Sequence, residues 1–423
     1  MAFTQKNTWS NTDYALAAAV MCLMGGYYWA IRGTGGYGGE TGGALAGLGW
    51  ALLWYAFSRW GGEGGRRPYA SAWMVVAISM GIALGGMTGY GVYISWVRGL
   101  FHLNYPESPR AVGAWTGYAM LFICGLHWGG NTGAFMAWCA PQKPLGPGGK
   151  WMRFASGVAG AVAAAVFVRA FPQLFLPYYG EGIYAVEANE TCVRALGSLH
   201  TIAPHVGLFL GFLAFELARG DRRAAAMMIT MALGFALPFT IGAYWHTFQD
   251  SPLRIGWWKN WEMSIGLGGG LAFGLAFFLF NQPDGTPAPA LGPKSRIFFL
   301  TGLPLVFPMI QVFLGAFDGW HQLRDTKPAA AGYALFVLLP GLVMPIAALG
   351  AVRRNEASAD PEDFPGLSMP LIAALQAIII LCGLLVSIPL KMEPENTVLL
   401  TCYAVYLAGS LGAVTMLWKR QEG

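Results

Sequence analysis

Long apolar stretches separated by short polar segments dominate the hydropathy pattern of this chain. A helix needs about 20 mostly apolar residues to cross a lipid bilayer. About twelve segments meet this requirement, with predicted bounds of 12–32, 40–58, 69–97, 111–139, 152–171, 200–218, 223–247, 262–281, 296–316, 330–352, 367–389 and 397–418. The pattern therefore predicts an all-α integral membrane protein with about twelve transmembrane helices.

The positive charges between these segments predict their orientation, because cytoplasmic loops carry an excess of lysine and arginine. Sixteen such residues lie in or beside the even-numbered loops and the two ends of the chain, against nine on the other side. Both termini are therefore expected in the cytoplasm, which requires an even number of spans. Lys6 is the only early positive charge, and the first apolar segment ends in aromatic residues and Arg32 rather than in an Ala-x-Ala site, so it is expected to be a retained span.

The composition supports a membrane protein and argues against other classes. Hydrophobic residues make up 55% of the 423 residues and charged residues 11%, whereas soluble proteins carry about 25% charged residues. The net charge is +5 and no basic run is present, so nucleic acid is not an expected partner. Membrane lipids are the expected surroundings, most naturally those of a plasma membrane such as the bacterial inner membrane.

A short repeated sequence motif divides the chain into two predicted halves, 1–220 and 221–423. Gly26-Tyr27-Tyr28-Trp29 near the end of the first span resembles Gly242-Ala243-Tyr244-Trp245 near the end of the seventh. A polar linker and a glutamate that opens a glycine-rich helix follow each copy, Glu40 in one and Glu262 in the other. Six spans per half would give the two copies the same orientation, which predicts a parallel repeat.

Few polar residues lie at membrane depth, where they are costly and usually functional. His127 falls near the middle of the fourth span, and Asn131 is one helical turn further along the same face. This face is the best single candidate for a buried polar site, although a lone histidine in a span is also often a packing residue. His205 is a weaker candidate, and Glu216 is expected to be solvated near the inner surface.

Two further groups of candidates flank the repeated linkers. Arg32 and Glu40 bracket a glycine-rich linker, where they form either a binding site or an exposed ion pair. His246 and Glu262 lie among tryptophans that suit either a site for polar solutes or the aromatic belt of the membrane interface. Glycines inside the spans predict close helix packing or, alternatively, room for a cavity.

The sequence contains no catalytic, cofactor-binding or metal-binding motif that we could identify. No catalytic residue, cofactor or metal is therefore expected.

Twelve spans in two parallel halves with cytoplasmic termini resemble the major facilitator superfamily of secondary transporters. The loop after the second span ends in Gly65-Arg66-Arg67, as does that family's loop motif, although Gly62 occupies the aspartate position. The resemblance implies that spans one, four, seven and ten line a central cavity. The candidate substrate-binding residues are then Tyr28, Trp29, Arg32, His127, Trp128, Asn131, Tyr244, Trp245 and His246. Glu40 and Glu262 are the candidate residues for coupling to protons or sodium ions.

The first functional hypothesis is thus a secondary transporter that moves a small polar solute, a sugar or an organic acid, by alternating access. Two alternatives stay open. One is an integral-membrane enzyme that acts on a lipid-linked or glycan substrate, and the other is a non-catalytic subunit of a membrane complex.

Overall fold

A computed structural model describes the chain in nine stretches, residues 9–32, 39–60, 67–89, 93–101, 111–185, 190–252, 255–284, 369–387 and 394–422. The α-helices in these stretches are α1 (Asn11–Arg32), α2 (Gly39–Arg59), α3 (Trp73–Gly86), α4 (Ile94–Val97), α5 (Ala114–Ala137), α6 (Pro147–Ala170), α7 (Glu190–Ala218), α8 (Arg222–Gly242), α9 (Trp257–Phe280), α10 (Met369–Ser387) and α11 (Pro394–Glu422). Short 3-10 turns cover Pro172–Leu174, Tyr179–Glu181, Ile183–Ala185 and Ala243–Phe248.

The all-α prediction is confirmed for the described residues, which contain no β-strand beyond one isolated bridge between Leu100 and Ala111. Within them, six helices are long and apolar enough to cross a membrane, namely α1, α6, α7, α8, α9 and α11. The chain is therefore built as a membrane-embedded protein. The predicted spans 296–316 and 330–352 lie outside the described residues, so the number twelve stays a prediction.

Six helices pack in a closed circuit. α1 lies on α2, α2 on α3, α3 on α5, α5 on α8, α8 on α9, and α9 returns to α1. Outside the circuit, α7 packs against α5 and pairs with α6, α10 packs against α2 and α1, and α11 packs against α1. Because α1 pairs with α9 and α5 with α8, the described helices of the regions 1–220 and 221–423 interlock.

Aromatic side chains fill the interior of this circuit. The ring centre of Trp29 lies 4.9 Å from that of Trp128 and 5.6 Å from that of Phe235. Trp50 continues the stack, 5.0 Å from Phe273. All five side chains are buried. Large aromatic residues contribute much of the buried apolar area in a core of this kind.

Glycines allow the paired helices to approach each other closely. A Cβ atom built at Gly129 of α5 would lie 1.8 Å from the carbonyl oxygen of Met231 on α8. A Cβ atom at Gly266 of α9 would lie 2.1 Å from the carbonyl oxygen of Gly25 on α1. Small residues have this function in membrane helix pairs, so these two glycines serve close packing.

The third predicted span, 69–97, is not one helix, and the prediction of a continuous span was wrong. α3 ends at Gly86 after 14 residues, which cover only about 21 Å of a hydrocarbon core of about 30 Å. Glycine is a poor helix former, and glycines occupy positions 85, 86 and 89. The Thr88 hydroxyl also bonds to the carbonyl of Gly85 at 2.9 Å, which offers the backbone an alternative to the helix.

The two ends of the bundle are defined by contacts between helix termini. Asp13 in the first turn of α1 pairs with Arg420 in the last turn of α11 at 2.8 Å, so both lie at what we call the Asp13 end. At the opposite end, Lys259 in the first turn of α9 donates to the carbonyl of Ala30 at 3.0 Å. We call this the Arg32 end, after the last residue of α1.

Candidate functional site

A buried polar cluster lies where α3 breaks, between α3, α5 and α7. It consists of Thr88, His127, Asn131 and His205, and we call it the His127 cluster. His127 Nε2 lies 3.1 Å from Thr88 Oγ1, and the rings of His127 and His205 are 5.5 Å apart. Asn131 donates through Nδ2 to the backbone carbonyl of His205 at 3.1 Å. His127 and Asn131 are fully buried, whereas His205 is half-buried.

Two acceptor atoms of this cluster lack a hydrogen-bond partner among the described residues, Nδ1 of His127 and Oδ1 of Asn131. Buried polar atoms in folded proteins are nearly always hydrogen-bonded, so an exception calls for an explanation. The two residues lie one turn apart on the same face of α5. This pair of buried acceptors is the strongest indication of a binding site in the described chain.

Arg32 lies against the two tryptophans of the aromatic interior. Its guanidinium carbon is 4.4 Å from the ring centre of Trp29 and 5.1 Å from that of Trp128. Trp128 in turn covers Gly85, where an added Cβ atom would lie 2.3 Å from the indole ring. Three predicted site residues, Trp29, Arg32 and Trp128, are therefore in mutual contact, and Trp128 connects them to the break after α3.

A second cluster lies at the Arg32 end and consists of His246, Trp258, Lys259, Trp261 and Glu262, which we call the Glu262 cluster. Lys259 Nζ lies 2.5 Å from Glu262 Oε2, and the indole of Trp258 donates to Glu262 Oε1 at 3.0 Å. His246 packs edge-on against Trp258 and Trp261, at 5.6 and 5.3 Å between ring centres. Both oxygens of the Glu262 carboxylate are thus engaged, which gives it a structural role in this conformation.

The remaining predicted site residues lie elsewhere. Tyr28 faces α10, where its hydroxyl donates to Gln376. Tyr244 and Trp245 lie in the turn after α8 with exposures of 56% and 41%, as residues of an interfacial aromatic belt would. The structure describes Glu40 only as part of the first turn of α2. Because Tyr28 is buried and Tyr244 exposed, equivalent positions of the predicted repeat have different surroundings.

An ionic network at the Asp13 end was not predicted. Glu216 is fully buried, 2.7 Å from Nε of both Arg153 and Arg219, so the prediction that it is solvated was wrong. Arg219 also pairs with Asp221 at 2.6 Å. These contacts join α6, α7 and the start of α8. A carboxylate between two arginines can be buried because its charge is compensated.

Asp221 also caps α8, since its side chain accepts from the Ala224 amide at 3.0 Å. Burial alone would raise the pKa of Asp221. Hydrogen bonds from the amides of Ala224 and Lys143 and from Arg219 outweigh burial and hold the pKa below its ordinary value. The carboxylate is therefore stabilised in its charged form at this turn.

The fold and the site together define a polytopic α-helical membrane protein with a buried polar cluster at a broken helix. In the described stretches, no three His, Cys, Asp or Glu side chains come close enough to hold a metal ion together. No protein-family model matches the sequence, and comparison with curated proteins and with solved structures gives no match.

Proposed function

We propose that the protein is a secondary transporter that carries a small polar solute across the membrane, and that the His127 cluster is its binding site. The observation that carries this proposal is the pair of buried acceptors of His127 and Asn131, beside the break in α3, that have no hydrogen-bond partner among the described residues. A pair of polar groups in an apolar bundle costs free energy unless a ligand satisfies it during the functional cycle.

The break in α3 supports the same proposal. Irregular backbone at membrane depth is tolerated only where protein covers it or where it lines a water-filled cavity. Transporters use such discontinuous helices to build solute sites between helices. Here Thr88, in the break, contacts His127 directly.

The packing of α1, α5 and α8 also agrees with the proposal. These helices correspond to spans one, four and seven, which line the cavity in the major facilitator superfamily that the chain resembles. Phe239 of α8 lies 5.9 Å from Trp29 and 6.1 Å from Trp128, so the three helices meet at one aromatic contact. Twelve spans, two parallel halves, cytoplasmic termini and a plasma-membrane location complete the proposal.

We propose that access to the site alternates by local movement rather than by rocking of whole halves. The helix pairs α1–α9 and α5–α8 join the two halves through close backbone contacts at glycines. The described residues 87–89 after α3 are the better place for this movement because they are not helical. In the conformation described here Trp128 is in ring contact with His127, at 6.3 Å, and with Trp29, at 4.9 Å between ring centres.

A proton or sodium gradient is the proposed energy source, with Glu40 and Glu262 as proposed coupling residues. In the described conformation Glu262 is held by Lys259 and Trp258. Coupling through Glu262 therefore requires that the ion pair opens during the cycle.

Uptake into proteoliposomes tests the proposal. The purified protein is reconstituted and supplied with labelled sugars, polyols and organic acids under imposed proton or sodium gradients. We expect uptake of one solute class, reduced about tenfold or more in His127→Ala and Asn131→Ala, the effect of one lost hydrogen bond or more. Asn260→Ala is the control, because Asn260 bonds to Ser264 only through its backbone carbonyl.

Absence of uptake for every solute by folded protein would contradict the proposal, as would equal uptake by all three variants. Chemical turnover of a lipid-linked or glycan substrate would instead indicate a membrane enzyme. Stable co-purification with another membrane protein and no transport would indicate a subunit of a complex.

A further inference from the structure

We infer that the His127 cluster binds a neutral, hydroxyl-rich solute of the sugar or polyol class and discriminates against organic acids. This inference rests on the proposed function and narrows its substrate class. It follows from which atoms of the cluster can donate a hydrogen bond and which can only accept one.

The protonation of His127 follows from its contact with Thr88. The Thr88 hydroxyl lies 2.9 Å from the carbonyl oxygen of Gly85, which can only accept, so the hydroxyl proton points there. The Thr88 oxygen is then an acceptor towards His127 Nε2 at 3.1 Å, and Nε2 carries the ring proton. In a neutral histidine with this tautomer, Nδ1 carries no proton and can only accept a hydrogen bond.

The orientation of the Asn131 amide follows in the same way. Its Nδ2 lies 3.1 Å from the carbonyl oxygen of His205, and only the amide nitrogen can donate to that oxygen. Oδ1 is therefore the free end of the amide. His127 and Asn131 thus each present one acceptor without a described partner, one turn apart on α5.

A pair of acceptors selects its ligand by chemistry. Hydroxyl groups donate to both atoms and bring no charge into the bundle. A carboxylate group has only acceptor oxygens and cannot donate to these atoms, and a hydroxy acid such as gluconate would have to bring its charge into the bundle and lose its hydration. A protonated amine can donate, but the described hydrogen-bond and ring partners of His127 and Asn131, which are Thr88, Trp128 and His205, include no carboxylate to balance its charge.

Binding to the purified protein in detergent tests this inference with three probes on one carbon skeleton, which are glucose, gluconate and glucosamine. Xylitol and glycerol are two further uncharged probes. Isothermal titration and the shift in melting temperature both measure binding to the folded state. We expect a neutral probe to bind at least about tenfold more tightly than gluconate and glucosamine, since unpaired buried polar groups give strong discrimination.

Two histidine variants separate ligand binding from a merely structural role. In His127→Asn the side-chain oxygen can take the place of Nδ1, but the contact with Thr88 is lost. In His127→Gln the amide nitrogen can take the place of Nε2 and keep that contact, but the acceptor at the Nδ1 position is removed. We expect the Asn variant to keep more affinity for the neutral probe than the Gln variant. If the histidine served only to hold Thr88, the order would be reversed.

The outcomes distinguish the inference from the transport proposal. Preferred binding of gluconate or glucosamine, or no binding of any neutral probe by folded protein, would overturn the inference. Uptake of gluconate into proteoliposomes would overturn it while leaving transport intact. Binding of a neutral probe without any uptake would leave the inference standing and contradict transport.

Discussion

Arg32 shows how one residue can hold a charge at the end of an apolar helix. The side chain is 4% exposed, and its guanidinium lies over the rings of Trp29 and Trp128. A planar guanidinium suits such stacking better than an ammonium group does, so lysine is not an equivalent residue here. The interaction links the Arg32 end to the aromatic interior beside the His127 cluster.

We expect Arg32→Lys to lower the free energy of unfolding by roughly 0.5–2 kcal/mol, the range of partly to fully desolvated cation–π contacts. Thermal unfolding in detergent measures the change. Arg169→Lys is the matched control, because Arg169 is exposed and, among the described residues, its side chain donates a hydrogen bond only to the Ala165 carbonyl of its own helix. Equal stability of the Arg32 variant and wild type would contradict the stacking role.

A second prediction concerns the ion pair between Glu262 and Lys259. The Glu262 side chain is 4% exposed and that of Lys259 is 21% exposed, so solvent screens the pair only in part. We expect Glu262→Met and Lys259→Met each to destabilise the protein by roughly 1–3 kcal/mol, since each leaves a charge without its partner. The double variant should lose less than the sum of the two single losses.

A double-mutant cycle on unfolding free energies isolates this coupling. Strictly additive losses would show that the ion pair contributes nothing. Loss of the ion dependence of uptake in Glu262→Gln, with stability retained, would favour the coupling role proposed from the sequence.

At the scale of elements, glycine contacts fix the distance between paired helices. Gly129 of α5 faces the backbone of α8, and a backbone carbonyl cannot rotate aside as a side chain can. We therefore expect Gly129→Ala to destabilise the protein toward the upper end of the roughly 1–3 kcal/mol range of overpacking. Gly148→Ala in α6 meets open space and should be neutral or slightly stabilising, because alanine favours helix.

Unfolding of both glycine variants in detergent compares them directly. A similar stability of the two variants would mean that α5 and α8 do not pack at the distance described here.

The turn between α7 and α8 gives a prediction about pH. Because the pKa of folded Asp221 is lowered, its charge stabilises the fold above the unfolded-state pKa of about 3.9. That contribution is lost as the pH falls through the folded-state pKa. Asp221→Asn keeps an acceptor for the Ala224 amide but removes the charge, so we expect a loss of roughly 1–3 kcal/mol at pH 7.

The difference between wild type and Asp221→Asn should shrink below about pH 4, as wild-type Asp221 takes up a proton. Unfolding measured from pH 7 to pH 3 tests this. Asp284→Asn is the control, since Asp284 is 40% exposed and 3.6 Å from Arg223, an exposed pair of small effect. A difference in unfolding free energy between wild type and Asp221→Asn that stays constant with pH would contradict the stabilising role of the Asp221 charge.

Hydropathy predicted most elements because the bilayer requires long apolar helices. It failed at α3, where the apolar run continues through 69–97 but the glycines and Thr88 end the helix at Gly86. Hydropathy counts Gly as nearly apolar, so it does not register a break in the backbone. The glycine-rich stretch from Gly85 to Gly89 was the signal that could have located it.

The candidate site was predictable only where its residues share a helix. His127 and Asn131 were found because their spacing of four places them on one face of α5. Thr88 was missed, since only tertiary packing brings α3 to α5. Tyr244 and Trp245 resemble Tyr28 and Trp29 in sequence, but the first pair is exposed and the second is buried. A local sequence motif does not determine burial.

At the scale of the whole molecule, the closed circuit of six helices determines how the protein can move. Its interior is packed with aromatic rings and its largest helix contacts connect the regions 1–220 and 221–423. Burial of this kind makes a rigid frame. If the protein transports a solute as proposed, we expect the movement at the described residues 87–89, next to the His127 cluster, with the frame intact.

The most direct test of the central claim is exchange of a labelled neutral solute across proteoliposomes by wild type, Asn131→Leu and Asn260→Leu. Asn131→Leu keeps the number of side-chain heavy atoms but removes Oδ1, which has no partner among the described residues, together with the hydrogen bond to the His205 carbonyl. Asn260 lies outside the cluster. We expect exchange by wild type and Asn260→Leu, and a loss of about tenfold or more in Asn131→Leu. Unimpaired exchange by Asn131→Leu, or no exchange by correctly folded wild type, would contradict transport through the His127 cluster.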